Sequence, residues 1–315
     1  MFQIIKAGTV IPFMKIKTYV EVFCLLLVIG SIVAMGVKGL NWGLDFTGGV
    51  VVETKYTQGV DLEKVKEAYA KEGIVGNTQH FGSQKDVMIR VAPKEGLDQQ
   101  TVTNKVFQAS KTIDKDVKLT RSEYVGPAVG AELVESGILA IVVSSVAILI
   151  YIAFRFEWRM ATGAVISLAY DVIVVLGVFA IMQVEYDLTV LAAVLTVVGY
   201  SLNDKIVVFD RIRECAVTLP RNTSMEQIFN ISITQTLSRT IITSGTTLIT
   251  VVSLMIFGGE MIYGFALALF VGIVFGTFSS IYVASTWPLL LGISRENLMP
   301  KKVEKQESDG YETMD

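Results

Sequence analysis

The sequence predicts an α-helical membrane protein, with six transmembrane helices and a ferredoxin-like β-α-β-β-α-β extracytoplasmic domain inserted after the first of them. Three observations carry this. Apolar residues make up 52% of the 315 and charged residues 18%, and the apolar ones are gathered into long blocks, a distribution foreign to a soluble globule. Six blocks approach or exceed the roughly 20 residues that cross a bilayer core as a helix. Between the first two lies a stretch of ordinary soluble composition, residues 38–135.

The first block, residues 19–37, follows Lys6, Lys15 and Lys17 and contains Ala34-Met35-Gly36, a sequence that a signal peptidase also reads. At about 18 residues it exceeds the roughly 7–15 of a signal-peptide core, so it is assigned as a span. The other five spans fall at residues 136–154, 160–182, 188–209, 238–257 and 264–291. The chain thus divides into an N-terminal segment with the first span (1–37), the soluble domain (38–135), the remaining spans (136–291) and a tail (292–315). Six spans place both ends on one side. Lys6, Lys15, Lys17, Arg155, Arg159, Lys205, Arg211, Arg213, Arg221, Arg295, Lys301, Lys302 and Lys305 all fall on that side, while the loops 183–187 and 258–263 carry no Lys or Arg. Both termini are therefore expected in the cytoplasm.

Within the soluble stretch, residues 49–56 are β-branched and strand-like, and 61–72 read as a helix with Asp61 as N-cap. Residues 78–81 and 86–91 are two strands turning near Gly82-Ser83, 98–113 show helical spacing, and 117–125 form a last strand. That order is the split βαβ arrangement. Its expected core includes Val51, Val65, Ile89, Val91, Val106 and Leu119. Helices on one side of such a sheet leave the other face for a binding surface, or for a partner domain or the membrane surface to cover.

An enzymatic reading lacks parts. The lone His80 has no second His or Cys beside it, and neither a G-x-x-x-x-G-K-[ST] nor a G-x-S-x-G sequence occurs. Cys24 lies in an apolar block and Cys215 in a charged stretch, so neither disulfide nor metal follows. A net charge of -3 is too small to point to nucleic acid as a partner. Attention turns to ionisable groups inside spans, each costing about 2.5–3.5 kcal/mol on insertion scales. Asp171 lies near the middle of the third span, Asp204 in the inner third of the fourth, and Arg239 at the start of the fifth, where it can face Asp204. A permanent Asp204–Arg239 pair that only docks two helices, with Asp171 satisfied by neighbouring hydroxyls, would use the same residues.

Around them run three stripes. Thr236, Thr240, Thr243, Thr247 and Thr250 recur at steps of four and three, which suits a polar interior path and also plain packing, with each hydroxyl bonding its own helix. Thr189, Ala192, Thr196, Gly199 and Asn203 form a small-residue seam on the fourth span, and Gly264, Ala268, Gly272, Gly276 and Ser280 one at steps of four on the sixth. Such seams let backbones approach closely.

Residues 41–49 (NWGLDFTGG), 125–133 (VGPAVGAEL), 199–214 (GYSLNDKIVVFDRIRE) and 236–248 (TLSRTIITSGTTL) resemble the SecF family, the smaller subunits of SecD-SecF protein-export complexes in the RND superfamily. The resemblance covers nearly the whole chain. It implies a protein of the bacterial cytoplasmic (inner) membrane that binds SecD and, through it, the SecYEG channel, with YajC and YidC as further partners. It also implies contact with the translocating preprotein and membrane lipid, and use of a transmembrane H+ or Na+ gradient instead of a bound cofactor. In that family the Asp of the N-D pair and the Arg of the fifth span take part in proton passage, together with an Asp supplied by SecD. Here these are Asp204, beside Asn203, and Arg239, with Asp171 in a span where the family also carries an acidic residue. Gly43, Gly48 and Gly49 suit a tight exit from the first span, and Asp45 is expected to bond its own turn. A passive scaffold, or a free-standing RND-type exporter, would account for the same residues. Exporters of that kind are built from two six-span halves.

Overall fold

A computed structural model of the chain describes residues 9–81, 83–93 and 98–299. Lys6 and the part of the expected tail beyond residue 299, with Lys301, Lys302 and Lys305, lie outside the described residues. A 3-10 turn (Phe13–Ile16) leads into α1 (Lys17–Lys38), followed by β1 (Asn41–Trp42) and a short α2 (Leu44–Thr47). The soluble domain comes next: β2 (Gly49–Lys55), α3 (Leu62–Lys71), β3 (Asn77–Phe81), β4 (Ser83–Val91), α4 (Gln99–Ile113) and β5 (Lys118–Val125). The bundle is completed by α5 (Pro127–Arg155), α6 (Trp158–Met182), β6 (Glu185–Tyr186), α7 (Leu188–Thr218), α8 (Met225–Phe257), α9 (Glu260–Ile281) and α10 (Val283–Leu290), with α11 (Arg295–Leu298) after it. Among the described residues six helical segments are long and apolar enough to cross a membrane. The protein is a multi-pass α-helical membrane protein with one small α/β domain.

The domain follows from its local chemistry. Asp61 caps α3 by accepting from Glu63 N at 3.1 Å, and Asp98 caps α4 by accepting from Thr101 N at 3.3 Å. The four strands form an antiparallel sheet in the order β3-β4-β2-β5, with β4 inserted between β2 and β3 as the split βαβ arrangement requires. Val52, Val65, Ile89, Val102 and Val106 fill the core between sheet and helices. Two expected core residues depart from this. Val51 is buried on the opposite sheet face, against Leu44 and Met88, and Leu119 is exposed because a bulge between Glu53 and Thr54 shifts the β5 register, leaving Val117 as the buried residue. The sheet face away from the helices is therefore covered, in part by α2.

Helix boundaries differ from the apolar runs. The second membrane helix starts at Pro127, not near 136, because Pro suits the first helical position and the polar first turns are still helical. The fifth starts at Met225, behind a capping box of Ser224 and Gln227, and not near 238. The sixth breaks at Tyr282, between α9 and α10.

The domain is tied to the bundle at the end where α1 leaves it. β1 pairs in parallel with β6, Gly43 N donates to Tyr186 O at 2.8 Å, and Arg90 from β4 forms an ion pair with Glu185 at 2.5 Å and donates to Trp42 O. Asp45 departs from its expected role: its Oδ2 accepts from Leu188 N at 3.1 Å, across to the first residue of α7. Gly49 has φ +114°, and a Cβ there would lie 2.3 Å from Val91 O, so only glycine fits where the chain enters the sheet.

Candidate ion-handling site in the helical bundle

Small residues set the spacing on which the site depends. α9 lies against α7 along Gly264, Ala268, Gly272, Gly276 and Ser280. A Cβ at Gly264 would sit 3.0 Å from Val190 Cγ2, one at Gly272 2.3 Å from Val197 Cγ2, and one at Gly276 3.0 Å from Ser201 Oγ. Ala268 is fully buried, and Ser280 donates to Gly276 O at 2.7 Å. These contacts advance together along both helices, so α7 and α9 run parallel at close range.

Where α6, α7 and α9 meet, the polar groups converge on Asp171, which is 0% exposed. Its Oδ2 accepts from Lys205 Nζ at 2.9 Å and from Ser201 Oγ at 2.6 Å, and its Oδ1 accepts from Ser279 Oγ at 2.6 Å. Ser167 Oγ donates to Ser279 Oγ at 3.0 Å, and Lys205 also donates to Ser201 Oγ. The spacing explains the set: Ser167 lies one turn before Asp171 on α6, and Ser201 one turn before Lys205 on α7. Lys205 is itself 0% exposed, and the two charges neutralise each other away from solvent. The sequence reading assigns Lys205 to the charged loop after the fourth span. In the structure α7 continues unbroken to Thr218, and the Lys205 ammonium is inside the bundle.

Asp204 follows the pattern differently. It neighbours Lys205 in sequence but lies about 100° round the helix. It is 4% exposed, and its Oδ2 is buried with no hydrogen-bond partner among the described residues. The expected Asp204–Arg239 pair is absent among the described residues, and Arg239 is exposed. Helix register explains why. Tyr200 OH meets Thr247 Oγ1 at 3.3 Å and Arg211 donates to Gln235 Oε1 at 2.7 Å, which sets Asp204 opposite residues near 243 and Arg239 roughly one turn, about 5 Å, further along.

Thr236 and Thr240 are buried, whereas Thr250 is exposed. Thr236, Thr243, Thr247 and Thr250 donate to the carbonyls four residues back, at 3.0, 3.0, 2.9 and 3.3 Å. Their donors are satisfied within α8, and oxygen lone pairs remain along the stripe. Among the described residues the seam on α7 is left open: Thr189, Ala192, Thr196, Gly199 and Asn203 are all exposed, and a Cβ at Gly199 or at Gly245 of α8 would meet nothing within 4 Å. Asp204 thus sits just beside an open face of small and polar residues that also carries Arg239. Among the described residues no group of His, Cys, Asp and Glu could hold a metal ion.

A bundle of long apolar helices with a buried carboxylate, an exposed small-residue seam and a small inserted α/β domain defines a multi-pass membrane protein. Residues 105–294 match the family model described as protein export membrane protein SecD/SecF, C-terminal, and residues 33–60 match the SecD/SecF GG motif. The chain is 51% identical over 308 residues to protein translocase subunit SecF of Vibrio alginolyticus, covering 97% of this chain and 98% of that one. It is 46% identical over 287 residues to the SecF of Escherichia coli O157:H7, covering 90% and 88%. The crystal structure of SecDF, a translocon-associated membrane protein from Thermus thermophilus, superposes with a TM-score of 0.82 at 33% identity over 92% of this chain. The chain spans 40% of that SecDF chain. It belongs to the SecF family of protein translocase subunits.

Proposed function

We propose that this translocase subunit couples a transmembrane H+ or Na+ gradient to preprotein movement through the SecYEG channel, as one half of a complex with SecD. The observation that carries the reading is Asp204, a buried carboxylate with an unpartnered oxygen next to an open seam. A buried ionised carboxylate with an unbonded oxygen is costly in such a place even with Lys205 and Arg239 acting on it electrostatically, so it favours either a proton, a bound cation or a partner's group. The solved SecDF chain is much longer than this one, and the seam of α7 supplies the close backbone approach that a second six-span half requires. With that half in place, Asp204, Asn203, Arg239 and the threonine oxygens would line a shared path. One charge crossing the field gains about 2.3 kcal/mol per 100 mV, enough to bias a two-state rearrangement by more than tenfold.

Orientation follows the charge asymmetry. Lys15, Lys17, Arg155, Arg159, Arg211, Arg213 and Arg295 fall at the bundle end opposite the α/β domain, which supports cytoplasmic termini and an extracytoplasmic domain in the bacterial inner membrane. There the domain is placed to meet emerging preprotein, and YajC and YidC are further partners of the assembled complex. The experiment is export by membrane vesicles holding this subunit with SecD and SecYEG. Transport should rise when an ion gradient is imposed after ATP-driven insertion, and return to the ATP-only level when the gradient is collapsed. Export unaffected by imposing and collapsing both proton and sodium gradients would refute the coupling. Filling the seam with Gly199→Leu should abolish co-purification of SecD while leaving the chain in the membrane.

A further inference from the structure

Of the two carboxylates buried in the bundle among the described residues, one is already occupied. Asp171 receives one ammonium and two hydroxyl hydrogens, so both its oxygens are bonded, and a third hydroxyl, that of Ser167, bonds on into Ser279. A carboxylate ringed by serine oxygens at one level of a helix bundle is the ligand chemistry of a small monovalent cation. Here the position such an ion would take holds the Lys205 Nζ, in contact with both Asp171 Oδ2 and Ser201 Oγ. The groups facing this site come from every helix around it: Lys205 and the neighbouring Asp204 from α7, Tyr170 from α6 and Cys24 from α1, with only hydroxyls from α9. Among the described residues Asp171 is the carboxylate in ion-pair contact with Lys205, and Asp204 acts on the ammonium electrostatically without touching it.

We infer that Asp171 forms a monovalent-cation site that carries its own cation on the chain, the Lys205 ammonium, and is thereby closed to a transported proton or alkali ion. The buried pair then acts as a neutral pin through α6, α7 and α9, and ion exchange is left to Asp204. Only that last clause rests on the gradient-coupling reading. Removing the ammonium while keeping the stem's bulk opens the site, and the vacated carboxylate takes up either a proton or an alkali ion.

The test uses the full chain purified with its partner subunit and reads the protonated-carboxyl stretching region by infrared spectroscopy. Four proteins are compared, wild type, Asp171→Asn, Lys205→Met and the double variant, each in sodium-free choline buffer and in sodium buffer. In the wild type, Asp171→Asn should remove no band from this region. In the Lys205→Met background it should remove one band that has no counterpart in the wild type. A band in both buffers identifies a proton as the occupant, and a band only without sodium identifies sodium. A wild-type band that vanishes on Asp171→Asn would overturn the inference, as would a Lys205→Met protein with no Asp171 band in either buffer. Lys205→Gln, which keeps a hydrogen-bond donor, gives the same readout should the Met variant fail to accumulate. Loss of coupling at Asp204 is scored separately by the band that Asp204→Asn removes, so failure of the gradient reading leaves the Lys205 assignment standing.

Discussion

Replacing Gly272 by alanine places one methyl where the α7–α9 contact has no room. The new Cβ would lie 2.3 Å from Val197 Cγ2, 2.5 Å from Cγ1 and 2.9 Å from Cβ. Carbon atoms at rest sit about 3.5–4.0 Å apart, so the helices must part by roughly 1 Å or Val197 must leave its rotamer. Valine in a helix holds one preferred χ1, which removes the cheap escape. Overpacking of this kind costs about 1–3 kcal/mol, against a helix-propensity gain of at most about 1 kcal/mol. At the middle of that range the net loss is about 1 kcal/mol, which should lower the melting temperature by roughly 2–4 °C. Cys24 and Cys215 are both free and buried, so a thiol-reactive fluorophore reports unfolding in detergent directly. Gly199→Ala, on the open seam with nothing within 4 Å, gains the propensity without the clash and should melt at or above wild type. Adding Val197→Ala to Gly272→Ala should recover part of the loss. A Gly272→Ala protein as stable as wild type would refute the packing reasoning.

Three further outcomes follow from the domain and its tether. Expressed alone as residues 42–124, the α/β domain should melt cooperatively, and Val106→Ala, at a fully buried position, should cost about 2 kcal/mol and lower its melting temperature by roughly 8–16 °C. Burial holds the Glu185 carboxyl above the usual range, with Arg90 beside it opposing that rise. A raised value in the folded state means that this group's contribution is fully present below the unfolded value and declines as pH rises through the folded one. Melting of the full chain followed from mildly acidic to neutral pH should therefore show a fall that Glu185→Gln flattens. Asp45→Ala should remove the acceptor for Leu188 N and cost about 1 kcal/mol, read in the same thermal assay.

The soluble domain was legible because its signals are local. Asp61 and Asp98 announce helix starts, and β-branched runs announce strands, whereas Leu119 was misplaced because a bulge at Glu53 is set by strand pairing and leaves no mark in the strand's own pattern. The membrane helices were legible in number from apolarity. Their starts were not, because Pro127 and Ser224 begin helices with polar turns that a hydropathy reading discards. The site was half legible. Asp171 and Asp204 stand out as charges in apolar spans, but the partner of Asp171 was hidden by reading Lys205 as a marker of the membrane's edge. The available signal was that a mid-span carboxylate calls for a cation and that Ser201 and Lys205 share one helix face. Arg239 was placed opposite Asp204 from depth alone, and the one-turn offset comes from side-chain register between α7 and α8.

In the proposed coupling a gradient acts through Asp204 and not through the Asp171–Lys205 pair. The direct measurement is gradient-dependent export in vesicles, with SecD co-purification scored in the same preparations, for Asp204→Asn and for the double variant Asp171→Asn/Lys205→Met. Asp204→Asn keeps the shape of the side chain but cannot ionise, so it should assemble with SecD and lose the gradient-dependent increment. The double variant replaces a buried ion pair with neutral groups of similar volume, a change that is often near neutral for stability, and it should keep both assembly and the increment. Full gradient-dependent export by Asp204→Asn, or its loss from a fully assembled double variant, would contradict the account.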